Sequence, residues 1–299
     1  MSPAPTHKPV RIAVLPVAGF GTRVLPATKT VPKEMLPVVD RPALQYVVDE
    51  ALEAGIEHFV FITGRQKSAI EDYFDSAYEL EDALERKQKT EILKNLKIKQ
   101  PREGSMSFVR QQAAKGLGHA VWCARDIVGD QAFAVLLPDV LVQSKRSCLA
   151  QMMDAYKEVG GNIIAVDAVP EDKVSSYGVI KPKAGEDYRS KNLIQMDGMV
   201  EKPSQEEAPS NLKITGRYIL QPELMGLLKD QEAGAGGEIQ LTDAMARLMN
   251  DQSFHAFVYE GQDYDCGSKI GYFEAVMAYA KIHPEISEQA KALIKRMAD

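Results

Sequence analysis

The chain has 299 residues, 45% of them hydrophobic, and a formal net charge of -6 at neutral pH. That length can bury a large core, and the acidic balance excludes a general nucleic-acid-binding surface. Three widely spaced cysteines, Cys123, Cys148 and Cys266, form neither a disulfide framework nor a zinc pattern, which fits a reducing cytoplasm. No run approaches the roughly 18 apolar residues of a membrane span.

Residues 1–8 are polar and proline-bearing and are expected to be a disordered tail before a single domain over residues 9–299. Residues 10–17 form a β-type apolar run that enters a loop rich in glycine and proline. The loop reads Val17-Ala18-Gly19-Phe20-Gly21-Thr22-Arg23-Val24-Leu25-Pro26, then Pro32-Lys33-Glu34-Met35-Leu36-Pro37. Such a composition excludes a core helix or a central strand. Its glycines let backbone approach a ligand, and free amide N–H groups favour anions. Arg23, Lys29 and Lys33 add positive charge, so a nucleoside-triphosphate site is expected here; the alternative is an irregular surface loop with solvated cations.

Over residues 43–54, Leu44, Val47, Val48, Ala51 and Leu52 fall on one helical face, between Pro42 and Gly55. Residues 58–62 read as a buried strand, completing a strand–helix–strand unit with parallel strands. Residues 66–98 are helical and highly charged, with favourable Asp82–Arg86 and Glu85–Lys89 spacings, and form an excursion from the sheet. Further strands are expected at 107–111, 133–137 and 162–169, with helices at 116–128 and 147–159. This alternation predicts an α/β fold: a Rossmann-like mixed, mainly parallel sheet flanked by helices.

Beyond Pro170 the pattern changes. Short strands at 177–181, 193–201 and 215–220 predict a smaller β region laid against the first. A glycine-rich link at 234–237 precedes a helix at 240–249 and a strand at 254–259. Phe273, Val276, Met277 and Ala280 mark a late helix, and Pro284 opens a final one. The division expected is 9–170 for nucleotide, 171–265 for a second ligand, and 266–299 for C-terminal helices.

The first loop lacks the Gly-Lys-Ser/Thr closure of a P-loop. The third glycine of the dinucleotide fingerprint is replaced by Val24, which disfavours an NAD-dependent oxidoreductase. Kinase signatures are missing.

The loop, with Ala114-Lys115-Gly116-Leu117-Gly118-His119-Ala120, Leu137-Pro138-Asp139-Val140, Tyr177-Gly178-Val179, Val200-Glu201-Lys202-Pro203, Gly237-Glu238-Ile239-Gln240-Leu241-Thr242-Asp243 and Asp265-Cys266-Gly267, resembles the signatures of sugar-nucleotide pyrophosphorylases. More narrowly it is similar to the bacterial UTP–glucose-1-phosphate uridylyltransferase branch. The motifs run in family order from residue 19 to residue 267; Val17-Ala18 departs from the paired alanines or glycines more common there.

The resemblance implies attack of a glucose-1-phosphate oxygen on the α-phosphorus of UTP, with pyrophosphate leaving and Mg²⁺ as cofactor. Such catalysis is mainly positioning and electrostatics. It implies Arg23 and Lys33 on the triphosphate, and Lys202 as the cation at the sugar phosphate. Ala18, Gly19, Gly21, Thr22, Glu34, Gln111 and Gly116 would bind the nucleotide. Gly178, Glu201 and Lys202 would bind the sugar phosphate. Asp139, at the end of an apolar strand, is where an α/β sheet places ligands and can hold Mg²⁺. Asp265 is either the second metal-facing carboxylate or a helix N-cap. His119 is expected to pack a helix, and Cys266 to be a small packed residue.

Alternatives are a glucose-1-phosphate thymidylyltransferase, which usually carries Lys-Gln-Leu where this chain has Lys33-Glu34-Met35, and a non-catalytic regulatory homologue. The expected partners are UTP and glucose-1-phosphate, with neither nucleic acid nor membrane. A homo-oligomer, tetramer or dimer, is implied by the resemblance, through 66–98 or the C-terminal helices.

Overall fold

The computed structural model describes residues 7–97, 100–185, 191–234 and 237–298. Strand β1 (Ile12–Pro16) is buried on both faces, and its alternate residues feed two cores. Ala13 and Leu15 face one side; Ile12 and Val14 face the other. The glycine-proline loop follows, closed by a small hairpin of β2 (Pro37–Val38) and β3 (Arg41–Pro42). Helix α1 (Ala43–Glu53) then returns the chain to β4 (His58–Thr63), which pairs parallel to β1.

The charged excursion is three short helices, α2 (Ser68–Phe74), α3 (Tyr78–Arg86) and α4 (Thr90–Lys97), before β5 (Met106–Arg110). The expected helix at 116–128 is two pieces, α5 (Leu117–Trp122) and α6 (Arg125–Val128). Strand β6 (Phe133–Leu136) pairs parallel to β1. It is followed by β7 (Val140–Gln143), α7 (Cys148–Val159) and β8 (Asn162–Ala168). Ser147 caps α7, its Oγ accepting from Ala150 N at 3.4 Å.

Strands β9 (Gly178–Pro182), β10 (Leu193–Glu201) and β11 (Leu212–Leu220) precede α8 (Leu224–Lys229) and α9 (Leu241–Leu248). The chain ends in β12 (Phe254–Val258), β13 (Gln262–Asp265), α10 (Lys269–Ala280) and α11 (Ser287–Ala298).

One nine-stranded sheet has the order β5-β4-β1-β6-β11-β8-β12-β10-β9. The β5-β4-β1-β6 half is parallel, and β11 runs antiparallel between β6 and β8. The smaller β region therefore continues the first sheet edge to edge, because β11 pairs on both sides. Core on one face packs α1 and α7 against Leu15, Phe59 and Phe61. Core on the other packs α5, α8 and α9 against Val14, Val60 and Val135.

Of the expected N-terminal tail, residues 1–6 lie outside the described residues. His7 and Lys8 do not hang free: the Tyr156 hydroxyl donates to Lys8 O at 3.1 Å, and the Lys8 ammonium donates to Asp130 O. The glycine link at 234–237 falls partly outside the described residues. Among the described residues no helix is long and apolar enough to cross a membrane.

Candidate active site

The site forms where the carboxyl ends of β1, β4, β5 and β6 meet the β7–β13 ribbon, the edge at which an open α/β sheet binds ligands. Loop residues are short 3-10 turns: Thr22–Val24, Ala27–Lys29 and Lys33–Met35. Gly21 has φ +66°, and a Cβ there would stand 3.2 Å from Lys33 Cβ. The Thr28 hydroxyl donates to Gly21 O at 2.8 Å and fastens the turn. A Cβ at Gly64 would lie 3.1 Å from Ala18 O, so Ala18 backbone sits beside the end of β4.

The loop's cations converge on two carboxylates. Lys33 Nζ donates to Asp139 Oδ2 at 2.6 Å, and Arg23 Nη2 lies 3.6 Å from the same oxygen. Arg23 Nη1 meets Asp265 Oδ2 at 3.4 Å. Ribbon register places Asp265 opposite Val140, the neighbour of Asp139, and Cys266 N donates to Asp139 O at 2.7 Å. Burial raises the Asp139 carboxyl, but Lys33 beside it, with a backbone hydrogen bond and Arg23, together outweigh burial and hold it below the usual range. Burial likewise pulls Lys33 down, and Asp139 and Glu34 more than offset that.

Asp265 does not cap the following helix. Ser268 caps α10, its Oγ accepting from Gly271 N at 3.2 Å. Asp265 Oδ1 instead accepts from Gly267 N at 2.9 Å. A Cβ at Gly267 would collide with Arg23 Nη2 and lie 2.9 Å from both Asp139 Oδ2 and Asp265 Oδ1. This open cradle, lined by two hard carboxylate oxygens, fits Mg²⁺, which takes few protein ligands and completes its octahedron with phosphate or water. Among the described residues no group of three or more His, Cys, Asp or Glu forms a fuller metal cage.

A second cluster lies beyond β5. Gln111 N donates to Thr63 O, joining β5 to the end of β4. Gln111 Nε2 donates to Gly116 O and to His119 Nδ1, both at 3.1 Å. Its amide hydrogens are thus engaged, which leaves Oε1 as the acceptor of that side chain. Gly116 has φ +97°, and a Cβ there would stand 2.7 Å from Glu238 Cβ. Lys115 O accepts from Ile239 N, and Gly118 N donates to Ile239 O, so two sequence motifs lock together as one short ladder.

Glu34 lies beneath the loop, 1% exposed. Lys67 Nζ donates to its Oε2 at 2.8 Å, while Oε1 is buried with no partner among the described residues. Burial pushes the Glu34 carboxyl up against the pull of Lys67.

The third cluster is at β9–β10. A Cβ at Gly178 would lie 3.0 Å from Glu201 Oε2, which accepts from Thr242 Oγ1 at 3.2 Å. Lys202 is held at φ +47° as its N donates to Tyr177 O at 3.0 Å, and its ammonium is exposed. A non-glycine residue in that region stores strain, a recurrent feature of ligand-binding positions. The buried Tyr218 hydroxyl, raised chiefly by burial, also feels both Glu201 and Asp139, which brings this cluster electrostatically next to the first.

Structure thus joins Arg23, Lys33, Asp139 and Asp265 directly, Gln111 with Gly116, and Gly178 with Glu201. Lys67 escaped sequence reasoning; His119, expected to pack a helix, also holds Gln111, and Gly267 enters the sequence reading only as part of a motif, with no role of its own. Lys67 follows a strand end without periodic pattern, and the other two acquire meaning only from residues distant in the chain. Lys29 forms the end of its 3-10 turn and is exposed.

Residues 12–282 match the family model described as nucleotidyl transferase. The chain belongs to the nucleotidyl transferase family. It is 48% identical over 282 residues to the UTP–glucose-1-phosphate uridylyltransferase of Bacillus subtilis (strain 168), covering 94% of this chain and 95% of that protein. It superposes on the UTP-bound UGPase of Acinetobacter baumannii with TM-score 0.88 and 45% identity, covering 96% of this chain and 99% of that one. A UDP-glucose pyrophosphorylase complexed with UDP-glucose matches with TM-score 0.81 and 42% identity, over 92% of this chain and 100% of that one.

Proposed function

We propose that this protein is a UTP–glucose-1-phosphate uridylyltransferase that uses Mg²⁺. The observation that carries the reading is the convergence of Arg23, Lys33, Asp139 and Asp265 on one cradle, in a chain nearly half identical to a relative of that name over almost its whole length.

The triphosphate lies along the loop of Ala18, Gly19, Gly21 and Thr22, whose backbone amides face it. Arg23 offers a planar fork to phosphate oxygens, and Lys33 a compact charge at the pyrophosphate end. Gln111 Oε1 accepts from the base N3–H and Gly116 admits backbone contact, while Glu34, enclosed on Lys67, supports the loop from beneath. Glu201 accepts from glucose hydroxyls beside Gly178, and Lys202 holds the sugar phosphate.

A phosphate oxygen of glucose-1-phosphate forms the new bond to the α-phosphorus as the bond to the bridging oxygen of the β-phosphate breaks. The electron pair leaves with pyrophosphate. Arg23 and Lys33 offset the charge that develops on that group. Bound between Asp139 and Asp265, Mg²⁺ would neutralise phosphate oxygens and help align the two anions. No covalent enzyme intermediate is required.

A cytoplasmic homo-oligomer fits this reading. Helix α10 buries Gly271 and Ala275 yet exposes Ile270 and Phe273, and Ile282 beyond it is exposed too, as a face covered by a second copy would be. Sedimentation equilibrium distinguishes monomer, dimer and tetramer.

The test of function is a substrate panel of UTP, dTTP, CTP and ATP against glucose-, galactose- and N-acetylglucosamine-1-phosphates, with and without Mg²⁺. UTP with glucose-1-phosphate and Mg²⁺ is expected to give the highest kcat/KM. Preference for dTTP would replace this reading with the thymidylyltransferase, and no turnover of any pair with a regulatory homologue.

A further inference from the structure

We propose that Arg217, paired with Glu50 beneath the site, is a positioning residue for Asp139: one guanidinium clamps both ends of the turn that carries this carboxylate. Arg217 lies in β11 and is fully buried, the largest side chain so enclosed among the described residues. Its Nε donates to Glu50 Oε1 at 3.0 Å and its Nη2 to Glu50 Oε2 at 2.9 Å. The same fork reaches the turn after β6: Nη1 donates to Leu137 O at 3.0 Å, and Nη2 to Val140 O at 2.7 Å.

Those two carbonyls bracket Pro138 and Asp139. Leu137 N donates back to Gly216 O at 2.9 Å, and Asp139 O accepts from Cys266 N. Gly216 has φ +83°, and a Cβ there would press on the Leu137 side chain at 2.8 Å. Backbone on every side of Asp139 is therefore fixed to β11 or to the ribbon. Glu50 fixes the guanidinium in turn and ties it to α7, its Oε1 accepting from Leu149 N at 3.1 Å.

A buried ion pair contributes little net stability relative to apolar side chains of similar volume. Its effect here is geometric. The guanidinium is planar and rigid, so a carboxylate and two carbonyls are held in fixed relation. A lysine ammonium has the charge without the fork. Arg217 touches neither substrate nor metal in this account and acts only through the Asp139 turn, so the inference rests on the reading of Asp139 as a metal-facing carboxylate.

The experiment compares Arg217→Lys, the double variant Arg217→Met/Glu50→Leu, which removes both charges together, and Asp139→Asn. For each, kcat, the KM for UTP, the thermal midpoint and Mn²⁺ affinity of substrate-free protein by electron paramagnetic resonance are measured. Both Arg217 variants are expected to lose about 10²-fold in kcat and about tenfold in Mn²⁺ affinity, with the KM for UTP within about threefold.

Folded Arg217 variants with parental kcat and Mn²⁺ affinity, beside an inactive Asp139→Asn, overturn this inference alone, whatever their thermal midpoints. Parental activity and Mn²⁺ affinity in Asp139→Asn overturn the underlying reading of the site, and this inference with it. Should the double variant not fold, Arg217→Lys decides on the same readouts.

Discussion

Lys33 Nζ and Asp139 Oδ2 stand 2.6 Å apart, joining the first loop to the turn beyond β6. Arg23 approaches the same oxygen from the solvent side and reaches Asp265 with its other nitrogen. Its side chain is 60% exposed, so these contacts contribute little to stability, and the role proposed for it is a fork for phosphate. Arg23→Ala is expected to leave the thermal midpoint nearly unchanged and to lower kcat by roughly 10²–10³, the scale of one lost transition-state donor. Steady-state kinetics and a melting curve check this; a rate within threefold of the parent would show that Arg23 is not used.

Gly267 keeps the cradle open. Its missing Cβ is the space shared by Arg23, Asp139 and Asp265. Gly267→Ala is expected to fold normally, since the obstruction lies in a ligand space, yet to lose about 10²-fold in kcat through displacement of the two carboxylates. Isothermal titration with Mn²⁺ should show weakened binding in the same variant. Parental kinetics would mean that the cradle is not the reacting centre.

His119 should give the nucleotide site an acid-side pH dependence. Burial, then Lys115 and Arg125, lower its imidazole below the ordinary 6.5. The neutral ring persists above that lowered value, and its Nδ1 can accept from Gln111. As pH falls through it, Nδ1 gains a proton and stops accepting, so Gln111 loses one of its two tethers. The KM for UTP is expected to rise on the acid side of the ordinary imidazole range more steeply in the parent than in His119→Asn, whose amide oxygen keeps an acceptor at all pH values. Superimposable KM profiles of the two proteins would contradict this.

Lys202 is exposed and strained at φ +47°. Lys202→Ala is expected to raise the KM for glucose-1-phosphate about tenfold or more while that for UTP stays within about twofold, the pattern of a lost contact to one substrate. Initial rates with each substrate varied in turn separate the two. An unchanged KM for the sugar phosphate would remove Lys202 from its site.

Much of this arrangement was legible before any coordinates. The apolar run into Gly19–Arg23 marked a strand delivering a shaped loop, and the apolar run into Pro138-Asp139 marked a second strand end at the same sheet edge. Each is a local signal, readable from period and composition. Asp265 is open in the sequence between metal-facing carboxylate and N-cap because it precedes a helix; only the antiparallel register of β13 on β7 shows it beside Asp139, with Ser268 as the cap. Arg217 was hidden inside an apolar strand, and Glu50 on a helix whose face reads as core. Their meaning lies in each other, and local pattern carries no trace of a partner so far along the chain. The joining of β9 and β10 to the main sheet was hidden for the same reason, since strand periodicity is the same in either sheet.

The most direct measurement follows UTP, glucose-1-phosphate and Mg²⁺ by ³¹P nuclear magnetic resonance after addition of the purified protein. UDP-glucose and pyrophosphate signals are expected to grow together in equal amounts, neither to appear when one substrate or the metal is withheld, and both to vanish with Asp139→Asn. Hydrolysis of UTP alone, or no phosphorus exchange with both substrates present, would contradict the uridylyltransferase reading.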